Sequence, residues 1–204
     1  MLTRKDEIAI AKNAKTATLN VEKIMEHARF RKIDGTTIDD VAQYVKDYFK
    51  SKKESNFGDE FEIFIGTDSQ RVRRGRLTLY ATVICLYTVG KGAHIIFTRT
   101  KRDDIGPTQK KTKKVKGSDP MLFQRLWWEV DYTTQVANYL KENGVFIGHG
   151  VVQVHLDVSA NPENKSNVAY KAAVGYVEAM GYNARCKPEA LAASYAADVM
   201  VRGN

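Results

Sequence analysis

Four acidic residues stand where a carboxylate is costly to bury and useful to keep: Asp68, Glu129, Asp157 and Asp198. Asp68 follows Phe61, Ile63, Phe64 and Ile65, an apolar run that reads as one buried strand stopping at Gly66 and Thr67. Asp157 closes a second β-prone run, Val151 to Leu156. Glu129 falls seven residues after Leu122 and three after Leu126, so it borders the buried face of a helix, whereas Asp131 projects roughly 200° around from it. Asp198 falls seven residues after Leu191, on or beside an apolar stripe of Leu191, Tyr195 and Val199. If the two strands are sheet neighbours, Asp68 and Asp157 emerge at one edge, and the two helices bring Glu129 and Asp198 over it.

Carboxylates gathered in this way repel and cannot all stay ionised without cations. Mg²⁺ or Mn²⁺ resolves the conflict, because hard divalent ions prefer carboxylate oxygen and water. Two such ions about 3.5–4 Å apart activate a water and stabilise the leaving oxygen of a phosphodiester. The plainer reading of Asp68 is a turn cap helped by Ser69. Three further acids in comparable positions weigh against it.

A polyanionic substrate also fits the charge. The chain of 204 residues carries a net charge of +8. The segment from Arg71 to Lys116 holds thirteen Lys or Arg against Asp103 and Asp104, or +11, so the remainder is net acidic. Arg71, Arg73, Arg74, Arg76, Lys110, Lys111, Lys113, Lys114 and Lys116 are therefore the candidate contacts to a nucleic-acid backbone. A solvated basic loop is the bland alternative.

The elements that must position these groups follow in order. Residues 1–53 read as a helical extension without strand patterns, clearest where Ile38, Val41, Val45, Tyr48 and Phe49 recur at helical spacing after the turn Asp34-Gly35-Thr36-Thr37. Residues 54–204 form the main domain. The Asp68 strand, Leu77 to Val89 and Ala93 to Arg99 make an antiparallel meander joined by short turns. Lys101 to Gly117 is a lysine-rich loop. A helix follows, with Asp119 as cap and Pro120 at its first position. Then come the Asp157 strand, a helix over Val168 to Met180, a short strand over Tyr182 to Lys187, and a last helix from Pro188. Trp127 and Trp128 read as packing residues, and His155 as a hydrogen-bonded core histidine rather than a proton carrier. Two cysteines are too few for a disulfide framework or zinc site. No apolar run approaches the ~18 residues of a membrane span and no secretory signal opens the chain, so a soluble cytoplasmic protein is expected.

This order, with acids at these points, resembles the ribonuclease H-like superfamily. IGTDSQ, the Glu129 helix, HLDVS followed by VGYVEAMGY, and KPEALAASYAAD resemble more closely the YkuK-like family of predicted ribonuclease H-related nucleases, over about residues 35–202. The resemblance implies an α/β fold with a five-stranded mixed sheet in the order β-β-β-α-β-α-β-α. It also implies metal ligation by Asp68, Asp157 and either Glu129 or Asp198. The expected function is a Mg²⁺- or Mn²⁺-dependent nuclease using two carboxylate-bound ions. A non-catalytic nucleic-acid-binding module on the same scaffold is the alternative. A nucleotide-binding phosphotransferase is disfavoured, because the chain is short for two lobes and no glycine-rich phosphate loop is present.

Overall fold

In a computed structural model the chain is described over residues 25, 28–54, 61–72, 77–103, 120–147 and 152–202. The centre is the expected meander. Strands β3 (Phe61–Val72), β4 (Leu77–Thr88) and β5 (Gly92–Asp103) pair antiparallel without interruption, from Phe61 opposite Thr88 to Val72 opposite Leu77, and from Leu77 opposite Asp103 to Thr88 opposite Gly92. The β4–β5 turn uses Gly90 and Gly92 at φ 73° and 99°, a region that side chains with a Cβ disfavour. Strand β6 (Val152–Ser159) runs parallel to β3, and β7 (Asn183–Lys187) parallel to β6. Crossover helices join the parallel strands: α2 (Pro120–Glu142) lies between β5 and β6, and α3 (Asn167–Ala179) between β6 and β7. The fold is the ribonuclease H-like α/β arrangement.

The sheet is wider than the expected five strands. Its order is β2-β1-β5-β4-β3-β6-β7, with β1 (Phe30–Lys32) and β2 (Thr37–Ile38) added beyond β5. These two strands lie in a stretch whose sequence reads as helical, and that reading is corrected here. They are too short to show alternation, and their register rests on the turn between them. There Gly35 takes φ 90° and the Asp34 carboxylate accepts the Thr36 backbone N–H at 2.8 Å. Helix α1 (Val41–Glu54) is as expected, although it starts after Ile38. Asp40 caps it by accepting the Gln43 N–H at 2.9 Å.

One face of the sheet carries α1, α2 and α3. Val45 and Phe49 of α1, Leu126, Val130 and Leu140 of α2, and Ala169, Ala173 and Val177 of α3 share one core with Ile63, Ile65, Ile84, Leu86 and Leu156. Among the described residues the opposite face carries the C-terminal segment, where Ala192 and Ala197 cover Phe64, Val83, Cys85 and Phe97.

That C-terminal segment departs from expectation. Residues Ala192–Ala197 form a π-helical stretch running into α4 (Asp198–Arg202). The buried positions are Ala192, Ala197 and Val201, whereas Leu191, Tyr195 and Val199 are 53%, 65% and 57% exposed. The apolar stripe anticipated from a 3.6-residue repeat therefore faces outward. The wider π turn sets Ala197 five positions after Ala192 on the same side, and two small alanines lay the backbone close to the sheet.

Strand β3 also differs, since it runs six residues beyond its apolar half. Thr67 and Ser69 are buried there without unmet polar groups. The Thr67 hydroxyl lies 2.9 Å from that of Thr82, and Thr133 of α2 donates to it at 2.8 Å. Asp68 therefore sits inside a strand instead of at its end, and so does Asp157.

Candidate metal centre

The β3–β6 pairing ends at Gly66 opposite His155. Two residues further on, the same register brings Asp68 opposite Asp157, where the strands no longer bond. Side chains alternate along a strand, so both acids share the face of Phe64 and His155, beneath the C-terminal segment. Glu129 comes from the other layer. Thr133, one turn on, bonds both Thr67 and the Glu129 carbonyl, at 2.8 Å each, which pins this part of α2 to β3. A narrow cleft is lined by Thr67, His155 and Asp157 together with Glu129 and Thr133, so groups from both layers meet where the strands part. One ligand oxygen from each of Asp68, Glu129 and Asp157 lies within 4.8 Å of the other two.

Each acid is held in its own way. The Asp68 carboxylate accepts its neighbour Ser69's backbone N–H at 2.7 Å. Glu129 is only 3% exposed; its Oε1 accepts the Ser69 hydroxyl at 2.6 Å and lies 3.4 Å from Arg125 Nη1. The same Arg125 nitrogen donates to the Ser69 carbonyl and hydroxyl at 3.0 and 2.8 Å. Asp157 accepts Lys187 Nζ on Oδ2 at 2.8 Å and the Ser194 hydroxyl on Oδ1 at 2.9 Å.

Burial sets the electrostatics. It raises Asp68 to about 6, helped by the Asp157 charge and opposed by the Ser69 N–H. It raises Glu129 to about 8, outweighing the Ser69 hydroxyl, with the Asp68 charge adding to the rise and Arg125 opposing it. Glu129 Oε2 is fully buried and has no hydrogen-bond partner among the described residues. A buried carboxylate oxygen without a partner costs roughly 1–3 kcal/mol or more. A cation among the three carboxylates would satisfy it. The donor set is all hard oxygen, which suits a divalent ion of the Mg²⁺ type.

Asp198 does not join this group. Its Oδ1 accepts Arg202 Nε at 2.8 Å, and its charge reaches the centre only as a minor contribution raising Asp68. Asp131 is bonded to Gln135 at 2.6 Å, outside the cluster. Arg71 is exposed at the far end of β3, whereas Arg73, Arg74, Arg76, Lys110, Lys111, Lys113, Lys114, Lys116 and Asp119 lie outside the described residues.

His155 is a core residue. It is 2% exposed, stacks on Phe64 with centroids 4.8 Å apart, and accepts the Ala192 N–H on Nδ1 at 3.0 Å. Its other nitrogen, 3.2 Å from Gln153 Oε1, must then carry the proton, and burial pushes its pKa down to about 4. Trp127 stacks on Phe123 and tilts against Tyr176, while Arg102 lies 3.3 Å from the Trp128 ring centroid.

Sequence reasoning missed Arg125, Thr133, Lys187 and Ser194. Arg125 was recoverable, standing one helical turn before Glu129. Lys187 and Ser194 reach Asp157 only through tertiary folding, and no local pattern marks them.

Residues 40–202 match the family described as Ribonuclease H-like, and the chain belongs to that family. No curated protein and no solved structure matches the chain. No helix among the described residues is long and apolar enough to cross a membrane.

Proposed function

We propose that the protein is a Mg²⁺- or Mn²⁺-dependent nuclease that hydrolyses phosphodiester bonds of RNA, DNA or a hybrid. The observation that carries this reading is buried Glu129, which brings a carboxylate oxygen within 4.8 Å of oxygens of Asp68 and Asp157 and whose Oε2 has no hydrogen-bond partner among the described residues. Bound there, a divalent ion supplies an acidified water and charge stabilisation at the phosphate.

The chain's own residues do the rest. Ser69 and Arg125 hold Glu129 Oε1 and so fix the carboxylate beside Asp68 and Asp157. The Ser69 backbone N–H orients Asp68, and Lys187 with Ser194 orients Asp157. The basic stretch from Arg71 to Lys116 holds the sugar-phosphate backbone, with Arg71 at the end of the strand that carries Asp68.

Labelled single- and double-stranded RNA, DNA and RNA–DNA hybrids, incubated with the protein in Mg²⁺ or Mn²⁺, test the reading. Cleavage of at least one substrate, abolished by EDTA, is expected. Salt-sensitive binding to these substrates without cleavage in either metal would overturn it in favour of a binding module.

A further inference from the structure

The C-terminal segment turns its large apolar side chains outward. Leu191, Tyr195 and Val199 are each more than half exposed, although Ala192, Ala197 and Val201 of the same segment are buried. The three stand four residues apart and form one ridge. Beside the ridge runs an apolar groove of about 620 Å³. The ridge makes one wall, and Phe64, Tyr87 and Ile95 of the sheet line the rest. Apolar surface gathered in one patch is costly to leave in water and marks a place where something docks.

The chemistry of the patch names its occupant. Among the described residues Glu62 alone brings a charge to the groove, and it is an acid, so a sugar-phosphate backbone finds no counter-charge there. A ridge beside a groove on one face is complementary to itself. Two copies related by a two-fold axis lay each ridge in the other's groove. The two segments then pack side by side between two sheets, at the spacing of about 8–10 Å usual for helices. The ridge also reads the same in both directions. Leu191 lies four residues before Tyr195 and Val199 four after, so an axis at Tyr195 sets Leu191 against the second copy's Val199 and the two Tyr195 side chains against each other. The ends match in charge. Glu189 flanks one end and Arg202 the other, and each side chain is 69% exposed beyond its local contact with Arg185 or Asp198. The antiparallel arrangement lays the acidic end of one copy over the basic end of the other.

We propose that this face binds a second copy of the chain, forming a two-fold dimer whose axis passes beside Tyr195. The second copy braces from outside the segment whose Ser194 hydroxyl holds Asp157 and whose Ala192 N–H holds His155. The dimer forms whether or not the centre cleaves nucleic acid.

Sedimentation velocity of the full chain over a concentration series reads the mass in solution. Wild type is expected to be a dimer at tens of micromolar chain. Tyr195→Glu and Tyr195→Arg each set like charges across the axis. Each is expected to weaken the dimer by about 10²-fold or more, because the axis counts a central aromatic twice. Mixed in equal amounts, the two variants bring opposite charges together and recover a dimer. Should either variant misfold by circular dichroism, Leu191→Asp takes its place: alone it breaks the dimer, and joined to Val199→Lys in one chain it restores it. A wild type that stays monomeric overturns the proposal and leaves the groove to residues 1–24 of the same chain or to a different protein. A dimer that survives Tyr195→Glu overturns it by placing the contact on another face. A mixture that stays monomeric overturns the axis, and with it the proposal.

Discussion

Asp68→Asn is expected to lower cleavage by about 10²–10³-fold or more, the scale on which one preorganised electrostatic element contributes to a rate, while leaving the protein folded. The substitution is close to isosteric, and the Asn carbonyl oxygen can still accept the Ser69 N–H that Asp68 accepts at 2.7 Å. What disappears is a negative charge raised to about 6 by burial and by Asp157. Without that charge the metal-free variant melts at or above the wild-type temperature at pH 8, because the repulsion has been removed. The cation response moves the other way. An ion present at 100 times its dissociation constant stabilises the folded state by about 2.7 kcal/mol, or roughly 5–10 °C for a domain of this size. Wild type shows that rise in Mg²⁺ or Mn²⁺, and Asp68→Asn loses most of it. A thermal melt with EDTA or metal, run beside a cleavage assay, reads both effects. Loss of cleavage with an undiminished metal shift would place Asp68 outside the cation's ligands.

The second large effect is a dependence on pH that metal largely removes. Asp68 and Glu129 ordinarily titrate near 3.8 and 4.5, and in the fold they are raised to about 6 and about 8. The folded state therefore holds protons that the unfolded state has released. The stability this confers is full below about pH 4, is lost as the pH rises through the two folded values, and is gone above about 8. Over the upper part of that window Glu129 alone contributes a slope of up to about 1.4 kcal/mol per pH unit. A divalent ion competes with the same protons, so its stabilisation grows over the same interval. Melting temperature is expected to fall from pH 6 to 8 in EDTA, and the increment produced by metal to rise. In Glu129→Gln the slope in EDTA is largely flattened, and the difference between variant and wild type isolates this group from every other titration. If Glu129→Gln and wild type trace parallel curves in EDTA, Glu129 is already ionised in the fold and the electrostatic account fails.

Much of this centre was legible in the chain before folding. Asp68 and Asp157 were visible because each follows a run of β-formers, and Glu129 because its spacing from Leu122 and Leu126 put it at a buried helix face. Less legible was anything that depends on a phase set by packing. The stripe of Leu191, Tyr195 and Val199 follows the α-helical repeat, but the π stretch at Ala192–Ala197 rotates it to the surface. The same stretch puts the Ser194 hydroxyl on Asp157 and turns Asp198 toward Arg202. The polar half of β3 hid itself differently. Thr67 and Ser69 look like turn residues until Thr82, Thr133 and Glu129 supply their partners. Strands β1 and β2 were invisible because five residues are too few for a repeat to show.

Those two strands have a bearing on self-association. An unpaired strand edge is a template for another chain, and the longer and flatter it is, the greater the hazard. Strand β5 has twelve residues and would end the sheet if β1 and β2 were missing. Strand β1 pairs at Ile96 and Phe97, near its middle, and so divides that edge into two short stretches, the second of which carries Arg99, Lys101 and Arg102. Strand β2, with only two residues, then presents almost no edge of its own. A fragment trimmed to residues 40–202, the part the family defines, would keep every acid of the centre and bare the whole of β5. Such a fragment would tend toward strand-to-strand aggregation, which makes the little ribbon ahead of the family domain a solubility device.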